Sequence, residues 1–318
     1  MADSGNIVCA KLYGDLIFQK KVLRKKPYQQ AFSLYLQSAG LTVDETGEWH
    51  CDGHAYPLAF WKIGQYLVNY KRESVLLESE PIAVIEQMTL SQRLSLALLL
   101  AVSCLCYIKV PGAVNLIGRI LHEVSLEEAL FSDLSMSIVD ILDGFTFPEI
   151  KLDRDSCKSP AALADTAECF FRAAAKEGYA YAANNLAARE ADQIVLRWTD
   201  NPGDATLKER VERYVEYLSF SADRYEPYAA NRLGLFYATG EVKSSKGSVV
   251  FREYINFTRA KEYFLKATVY PDVNSAWAFY NLIKYFRNNY TTNLDLMNEH
   301  MDYIKELNPK VYDLAMEL

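Results

Sequence analysis

The chain has 318 residues and a formal net charge of −7 at pH 7; half of its residues are hydrophobic and 24% are charged. This composition is typical of a folded protein and argues against general disorder. The acidic balance argues against a nucleic-acid partner, because nucleic-acid binders normally carry a clustered basic surface.

The first residues, 1–6, are polar and lack the apolar core of a signal peptide. The six cysteines show no paired spacing typical of a disulfide framework, so we expect a reducing, cytoplasmic location. A basic run at residues 20–26 falls in the predicted turn between the first two helices. We interpret it as a solvated loop rather than a phosphate contact.

A six-residue pattern recurs along the chain: a small residue, three variable positions, an aliphatic residue and another small one. Its copies begin at Cys9, Ala59, Ala113, Ala182, Ala229 and Ala278. In five copies the apolar positions continue at i+4 and i+8, which predicts a helix with one buried side, here called a first helix. In the copy at Ala182 the apolar stripe breaks after Leu186, because Glu190 stands where the next apolar residue should be.

A second pattern alternates with the first and predicts the second helix of each hairpin. It places two bulky residues between small ones, as at Phe170-Phe171 and Tyr263-Phe264. Pro57 and Pro227 are expected to start helices, and Gly178 and Gly240 to end them. The patterns predict hairpins at about residues 8–40, 55–85, 90–143, 160–190, 208–238 and 258–290, a capping helix over 294–307 and a tail helix beyond Pro309.

The most apolar run extends from Leu94 to Ile108. It is shorter than the ~20 residues that a membrane span needs. We therefore predict no membrane role and expect a helix that is buried on all sides in the middle of the array.

A repeat of roughly 50 residues is the mark of a solenoid. The sequence therefore predicts an all-α fold, an α-α superhelix, with one solenoid over residues 1–318. Within it, residues 1–150 are divergent N-terminal repeats, 151–290 are clearer repeats and 291–318 are C-terminal capping helices.

The stretch from Ala167 to Leu186 resembles the Sel-1-like repeat, a member of the tetratricopeptide superfamily of helical hairpins. Residues 222–240 and 10–40 resemble it too, whereas residues 65–160 match poorly. The period here is longer than the family's usual one, and the extra length falls in connections around 188–210 and 241–258. The resemblance implies a scaffold that binds other proteins, and it implies no chemistry and no cofactor.

One cluster of ligand-type residues lies at residues 50–54. Cys51 and His54 have a spacing that can supply two ligands to zinc, but no Cys/His pair elsewhere complements them. A turn is favoured there, and a metal-binding protein or enzyme centred on His50, Cys51 and His54 stays as an alternative. No nucleophile or phosphate-loop motif is found, so no enzyme is predicted.

Polar residues recur on the first helices, away from the predicted buried stripe. Position three of the pattern holds Asn115, Asn184 and Asn231, and position four holds Lys62, Asn185, Arg232 and Asn281. We expect them to face an inner groove, where amides bind a peptide backbone and cations bind an acidic group. The alternative is that the amides are packing residues that bond neighbouring backbone.

Four aromatic residues of the first helices, Trp61, Trp277, Tyr280 and Tyr285, are expected to pack between helices, with stacking on a ligand as the alternative. The function predicted overall is a non-enzymatic adaptor that binds a protein or peptide through the inner groove. A peptide- or effector-responsive regulator is the alternative. Association of two chains end to end, as a homo-oligomer, stays open.

Overall fold

The structure, a computed structural model, divides the chain into two compact units, Met1–Glu177 (unit 1) and Gly178–Leu318 (unit 2). It describes residues 10–12, 14–15, 27–43, 49–51, 56–69, 85, 87–143, 147, 150, 154–270, 274–287 and 294–318. Helices make up most of the described part of both units. The predicted all-α, helical-repeat fold class is therefore confirmed, whereas the single solenoid over residues 1–318 stays a prediction.

Among its described residues, unit 1 contains a short helical segment at residues 10–15, with residue 13 outside the described part, and then six longer helices. In chain order the elements are α1 (Pro27–Ala39), β1 (Leu41–Val43), β2 (Trp49–Cys51), α2 (Pro57–Asn69), α3 (Leu90–Tyr107), α4 (Pro111–Leu126), α5 (Glu128–Asp143), a 3-10 turn (Arg154–Cys157) and α6 (Pro160–Lys176). Strands β1 and β2 form an antiparallel hairpin.

The helices of unit 1 pack in pairs, with α2 along α3 and α4 along α6. The first helices α2 and α4 also contact each other. The predicted hairpin at 90–143 contains three helices rather than two, because α5 follows α4 directly and packs on α3. Part of the predicted hairpin at 55–85, residues 70–84, lies outside the described residues.

Helix α3 was expected to be buried on all sides, and this prediction is wrong. It buries one face, including Leu94, Leu98 and Cys104, against α2, α4 and α5, while Leu99 and Tyr107 are exposed. Within the described residues, α3 is the one helix long and apolar enough to cross a membrane, with mean hydropathy 1.5 and 39% of its length buried. Packing against three helices is equally typical of a core helix.

The described part of unit 2 consists of helices and a β-hairpin, which lies between its third and fourth α-helices. Its elements are α7 (Ala180–Asp200), α8 (Leu207–Ala222), α9 (Pro227–Thr239), β3 (Glu241–Ser244), β4 (Gly247–Val250), a 3-10 turn (Arg252–Tyr254), α10 (Phe257–Lys266), α11 (Ser275–Tyr285), α12 (Leu294–Leu307) and α13 (Pro309–Ala315). The predicted capping helix and the tail helix after Pro309 correspond to α12 and α13.

Each first helix of unit 2 packs along the helix that follows it: α7 along α8, α9 along α10 and α11 along α12. A Cβ atom at Gly234 would stand 2.4 Å from the Phe264 ring, so the small residue at the sixth position of the pattern lets α10 come close to α9. The predicted hairpins at 208–238 and 258–290 join α8 to α9 and α10 to α11. Helix α8 also contacts α9, and α10 also contacts α11. Each helix from α8 to α11 therefore packs on the helix before it and on the helix after it in the chain.

The ends of the helices follow the sequence. Pro57 and Pro227 begin α2 and α9, and Gly178 and Gly240, with φ of 89° and 71°, follow α6 and α9 as expected. Their left-handed backbone is the conformation that glycine adopts at helix C-termini without strain.

The apolar stripe of the Ala182 copy was expected to break at Glu190 and the hairpin to end near residue 190, but the helix runs further. Helix α7 continues to Asp200 and buries Ile194 and Val195. Glu190 lies in its buried stripe at 8% exposure and accepts hydrogen bonds from Arg210 and Arg213 of α8, each at 2.9 Å. Because both cations pair with the carboxylate, α7 buries this position without an apolar residue.

The connection at 241–258, expected to be irregular, contains the β3–β4 hairpin and a 3-10 turn. Val242 pairs with Val249 across the hairpin, and both side chains are buried in the core of unit 2. The extra length of this repeat therefore adds core rather than a loop.

Candidate functional site

Two of the predicted groove amides bond to each other inside unit 2. Asn281 of α11 donates from Nδ2 to Oδ1 of Asn231 of α9 at 2.9 Å, and both side chains are buried. The expectation that they face a groove is wrong, because α9 packs against α11 on this side. Helix α9 therefore has two covered faces, and the position opposite the Ala229 stripe is buried too.

Asn184 makes the corresponding link between α7 and α9. Its Nδ2 donates to Oε2 of Glu226 at 2.7 Å. The buried Glu226 carboxylate is the N-cap of α9 and accepts the backbone N–H groups of Tyr228 and Ala229 at 3.3 and 2.7 Å. An acidic N-cap is favourable at the positive end of a helix. Asn184 therefore holds this cap in place, and it is half-buried.

Arg232 lies on the same side of α9 and is fixed by three contacts. It donates to the Lys243 carbonyl at 2.7 Å, to the Tyr228 hydroxyl at 3.2 Å and to the Tyr214 hydroxyl at 3.4 Å. Burial opposes its charge, but Tyr214 and Tyr228 outweigh this effect and raise the pKa of Arg232. Asn185, the equivalent residue of α7, is half-buried.

The two predicted groove residues of unit 1, Lys62 and Asn115, also contact residues of their own unit. Asn115 is buried in α4, because α2, α3 and α6 surround that helix, so the expectation that it faces a groove is wrong. Lys62 pairs with Asp15 at 3.6 Å and lies 4.6 Å from the Trp61 ring centroid. Burial lowers the pKa of Lys62, and Asp15 opposes this shift.

Three exposed aromatic residues share one position on the first helices of unit 2. Tyr181, Tyr228 and Trp277 stand directly before Ala182, Ala229 and Ala278, and they are 55, 40 and 41% exposed. We call these three residues the aromatic face. Tyr181 and Tyr228 were not singled out from the sequence, and Trp277 was expected to pack between helices. The sequence pattern that could have revealed the three is an aromatic residue directly before the small first position in three successive copies.

The amide hydrogen bonds show how these rings succeed one another. Asn184 and Asn231 each stand three residues after a ring of the aromatic face, which is one helical turn. Asn184 bonds to the N-cap of α9 and Asn231 to α11. These amides, one turn from the rings, therefore link the helices that carry the three rings in order, α7 to the N-cap of α9 and α9 to α11.

Cationic side chains border the aromatic face. Arg232 lies 5.7 Å from the Tyr228 ring centroid, and the exposed Lys284 lies 5.7 Å from the Tyr280 centroid. Trp277 meets Tyr280 edge to face, with ring centroids 5.8 Å apart. Aromatic rings beside cations can stack on a peptide and pair with its acidic groups.

We expect the buried amide pair to matter for stability. Asn281→Ala leaves the Asn231 amide buried without this partner, so the free energy of unfolding should fall by about 1–2 kcal/mol. Asn231→Ala should have a similar effect. In urea denaturation the double variant should lose clearly less than the sum of the two losses. Lys284→Ala, on the exposed side of α11, is the control, and strict additivity would contradict the pairing.

The metal alternative is tested only in part. His50 and Cys51 lie on β2, and His54 lies outside the described residues. Within the described part of the chain, no three His, Cys, Asp or Glu residues are grouped so that they could hold a metal ion.

No protein-family model matches the chain, and no curated protein matches it. Among solved structures, it is similar to a Sel1 repeat protein from Oxalobacter formigenes, with 12% identity, 99% of this chain and 87% of that chain covered, and a TM-score of 0.33. It is also similar to c5321, a protective antigen present in uropathogenic Escherichia coli strains displaying an SLR fold, with 12% identity, coverage of 100% and 88%, and a TM-score of 0.18. Both TM-scores are low, so the helical-repeat assignment rests on the packing described above.

Proposed function

We propose that this helical-repeat protein is a non-catalytic cytoplasmic adaptor that binds a segment of a partner protein along the aromatic face. The observation that carries the proposal is the exposure of Tyr181, Tyr228 and Trp277 at one shared position of three successive first helices, α7, α9 and α11. Large aromatic residues are enriched at protein interfaces, where they provide rigid contact area at a low cost in conformational entropy. Their repetition fits an extended ligand better than a compact one.

The bordering cations define the chemistry of the segment. Arg232 is held by the Lys243 carbonyl, and Lys284 is exposed one helix away. A cation that is already fixed loses little freedom when it pairs with a carboxylate. The segment therefore carries acidic residues next to apolar or aromatic ones, which stack on the rings.

Peptide display on the immobilised full chain tests the proposal. We expect selected peptides to share acidic residues next to apolar or aromatic ones. The double variant Tyr228→Ala/Trp277→Ala should bind a selected peptide at least ~30-fold more weakly, because truncating a hot-spot aromatic residue costs about 2 kcal/mol or more. The melting temperature of the variant is measured alongside the affinity.

Two exposed tyrosines outside the aromatic face provide matched controls. Tyr107→Ala in unit 1 and Tyr270→Ala after α10 remove rings of similar or greater exposure. Both variants should bind the selected peptide as the parent does. Equal binding by the Tyr228→Ala/Trp277→Ala chain, or a consensus without acidic residues, would contradict the proposal.

A further inference from the structure

A cavity of about 330 Å³ opens on unit 2 beside α8, the end of α9 and the start of α10. Its wall includes two carboxylates, Glu212 of α8 and Glu253 of the 3-10 turn, and two rings, Tyr237 and Tyr254. None of the three aromatic-face residues lines it. The cavity is therefore separate from the surface assigned above to the partner segment.

The two carboxylates line the same cavity as the Tyr254 side chain. Burial raises the pKa of the Tyr254 hydroxyl, and the charges of Glu212 and Glu253 raise it further. Glu212 has a loose ion pair with Lys208 at 4.0 Å, between exposed groups, which contributes little. Within the described part of the chain, no cation lies within ion-pair distance of Glu253.

The cation in the cavity wall is Arg259, and its guanidinium contacts the Tyr237 side chain. Its guanidinium lies 5.4 Å from the Tyr237 ring centroid and donates to the Tyr237 hydroxyl at 3.2 Å. No hydrogen bond or ion pair joins Arg259 to Glu212 or Glu253 among the described residues. The cavity therefore keeps a net negative wall of two carboxylates against one cation.

We propose that this cavity binds the side chain of an arginine on a partner protein. A guanidinium presents five donors in a planar fork that matches carboxylate oxygens, and its face stacks on a tyrosine ring. Glu212 and Glu253 receive the fork and Tyr254 stacks on its plane. The chain's net charge of −7 favours the approach of a cation.

Exposure and charge argue against other occupants. Glu212, Glu253 and Arg259 are all exposed, so the cavity is open to solvent. A free small molecule is usually held in a site that buries most of its surface, whereas a side chain is anchored by the chain that carries it. Two carboxylates would repel an anionic group. The inference rests on the proposed function only in assuming a protein partner, since the cavity uses other residues.

Short blocked peptides test the cavity without knowledge of the partner. Gly-Gly-Arg-Gly-Gly should shift the NMR signals of Tyr237 and Tyr254 in the full chain, with a Kd of about 1 mM. The same peptide with citrulline, which keeps the shape and loses the charge, should bind at least tenfold more weakly. A lysine peptide should fall between the two, because it lacks the planar fork.

Charge-matched variants separate the cavity from general electrostatics. Glu212→Gln with Glu253→Gln should weaken binding of the arginine peptide at least tenfold. Glu216→Gln with Glu262→Gln removes the same charge from exposed positions of α8 and α10 that do not line the cavity, and it should leave binding unchanged. Equal binding by the two double variants, or by the arginine and citrulline peptides, would overturn the inference.

The outcomes also distinguish this cavity from the aromatic face. The Tyr228→Ala/Trp277→Ala chain should bind the arginine peptide as the parent does, and losing that binding would overturn the inference that the cavity is a separate site. If that chain also keeps the display-selected peptide, the aromatic-face proposal fails while the arginine site stands. If the parent chain does not bind the arginine peptide, the proposal for the cavity is wrong. The aromatic-face proposal is then tested separately, by the affinity of its display-selected peptides.

Discussion

Replacing Leu233 with aspartate is expected to unfold unit 2. Leu233 is fully buried in α9, within the core cluster that also includes Phe236 and Phe264. A carboxylate placed there has no cation to pair with in that cluster, and burying it costs on the order of 4 kcal/mol or more. This is a large part of the 5–15 kcal/mol that stabilises a typical domain. Urea denaturation followed by circular dichroism should show the loss.

The matched control is Leu265→Asp on α10, whose parent side chain is 45% exposed. It introduces the same charge into the same unit and should change the free energy of unfolding by roughly 0.5 kcal/mol or less. If Leu233→Asp denatures at the same urea concentration as this control, then the buried stripe of α9 has been assigned to the wrong residues.

The stripe itself was predictable because helix periodicity is a local property. Ala229, Leu233 and Tyr237 stand four residues apart and are all buried, as the pattern indicated. The caps were predictable for the same reason, since Pro227 and Gly240 act on the backbone of their own helix. Neither the prediction of the buried stripe nor that of the caps depends on which helix packs opposite.

The polar residues at positions three and four of the pattern could not be placed correctly from the sequence, because their surroundings depend on contacts between distant parts of the chain. The rule that a residue opposite the buried stripe is exposed holds for a helix with one covered face. Helix α9 is covered on a second side by α11, and the pair that proves it, Asn231 and Asn281, is 50 residues apart in sequence. An asparagine suits a solvated groove and a buried amide pair equally well.

The β3–β4 hairpin was missed for a different reason. Its strands have four residues each, and its turn lacks the Asn-Gly or Asp-Gly pair that marks a two-residue hairpin. Val242 and Val249 pair across the hairpin, one in each strand. An alternation of apolar and polar residues this short does not distinguish a strand from a loop. The burial of both valines comes from packing against α7, which the sequence does not reveal.

Glu190 is the clearest case of a residue that misled sequence reasoning, and its removal should be costly. Its carboxylate pairs with Arg210 and Arg213, whose side chains are partly exposed. Removing one partner of a buried ion pair leaves the other charges poorly compensated. Because water reaches both arginines, we expect Glu190→Ala to lower the free energy of unfolding by about 2–3 kcal/mol, measured by urea denaturation.

Glu209→Ala provides a sharp comparison, because Glu209 pairs with the same Arg213 from an exposed position. An exposed pair on one helix contributes little, so this loss should be about 0.5 kcal/mol. Glu190→Leu should still destabilise the chain, although leucine fits the apolar stripe, because Arg210 and Arg213 lose the carboxylate between them. If Glu190→Leu is as stable as the parent, the carboxylate is dispensable, and the apolar pattern alone accounts for the continuation of α7 to Asp200.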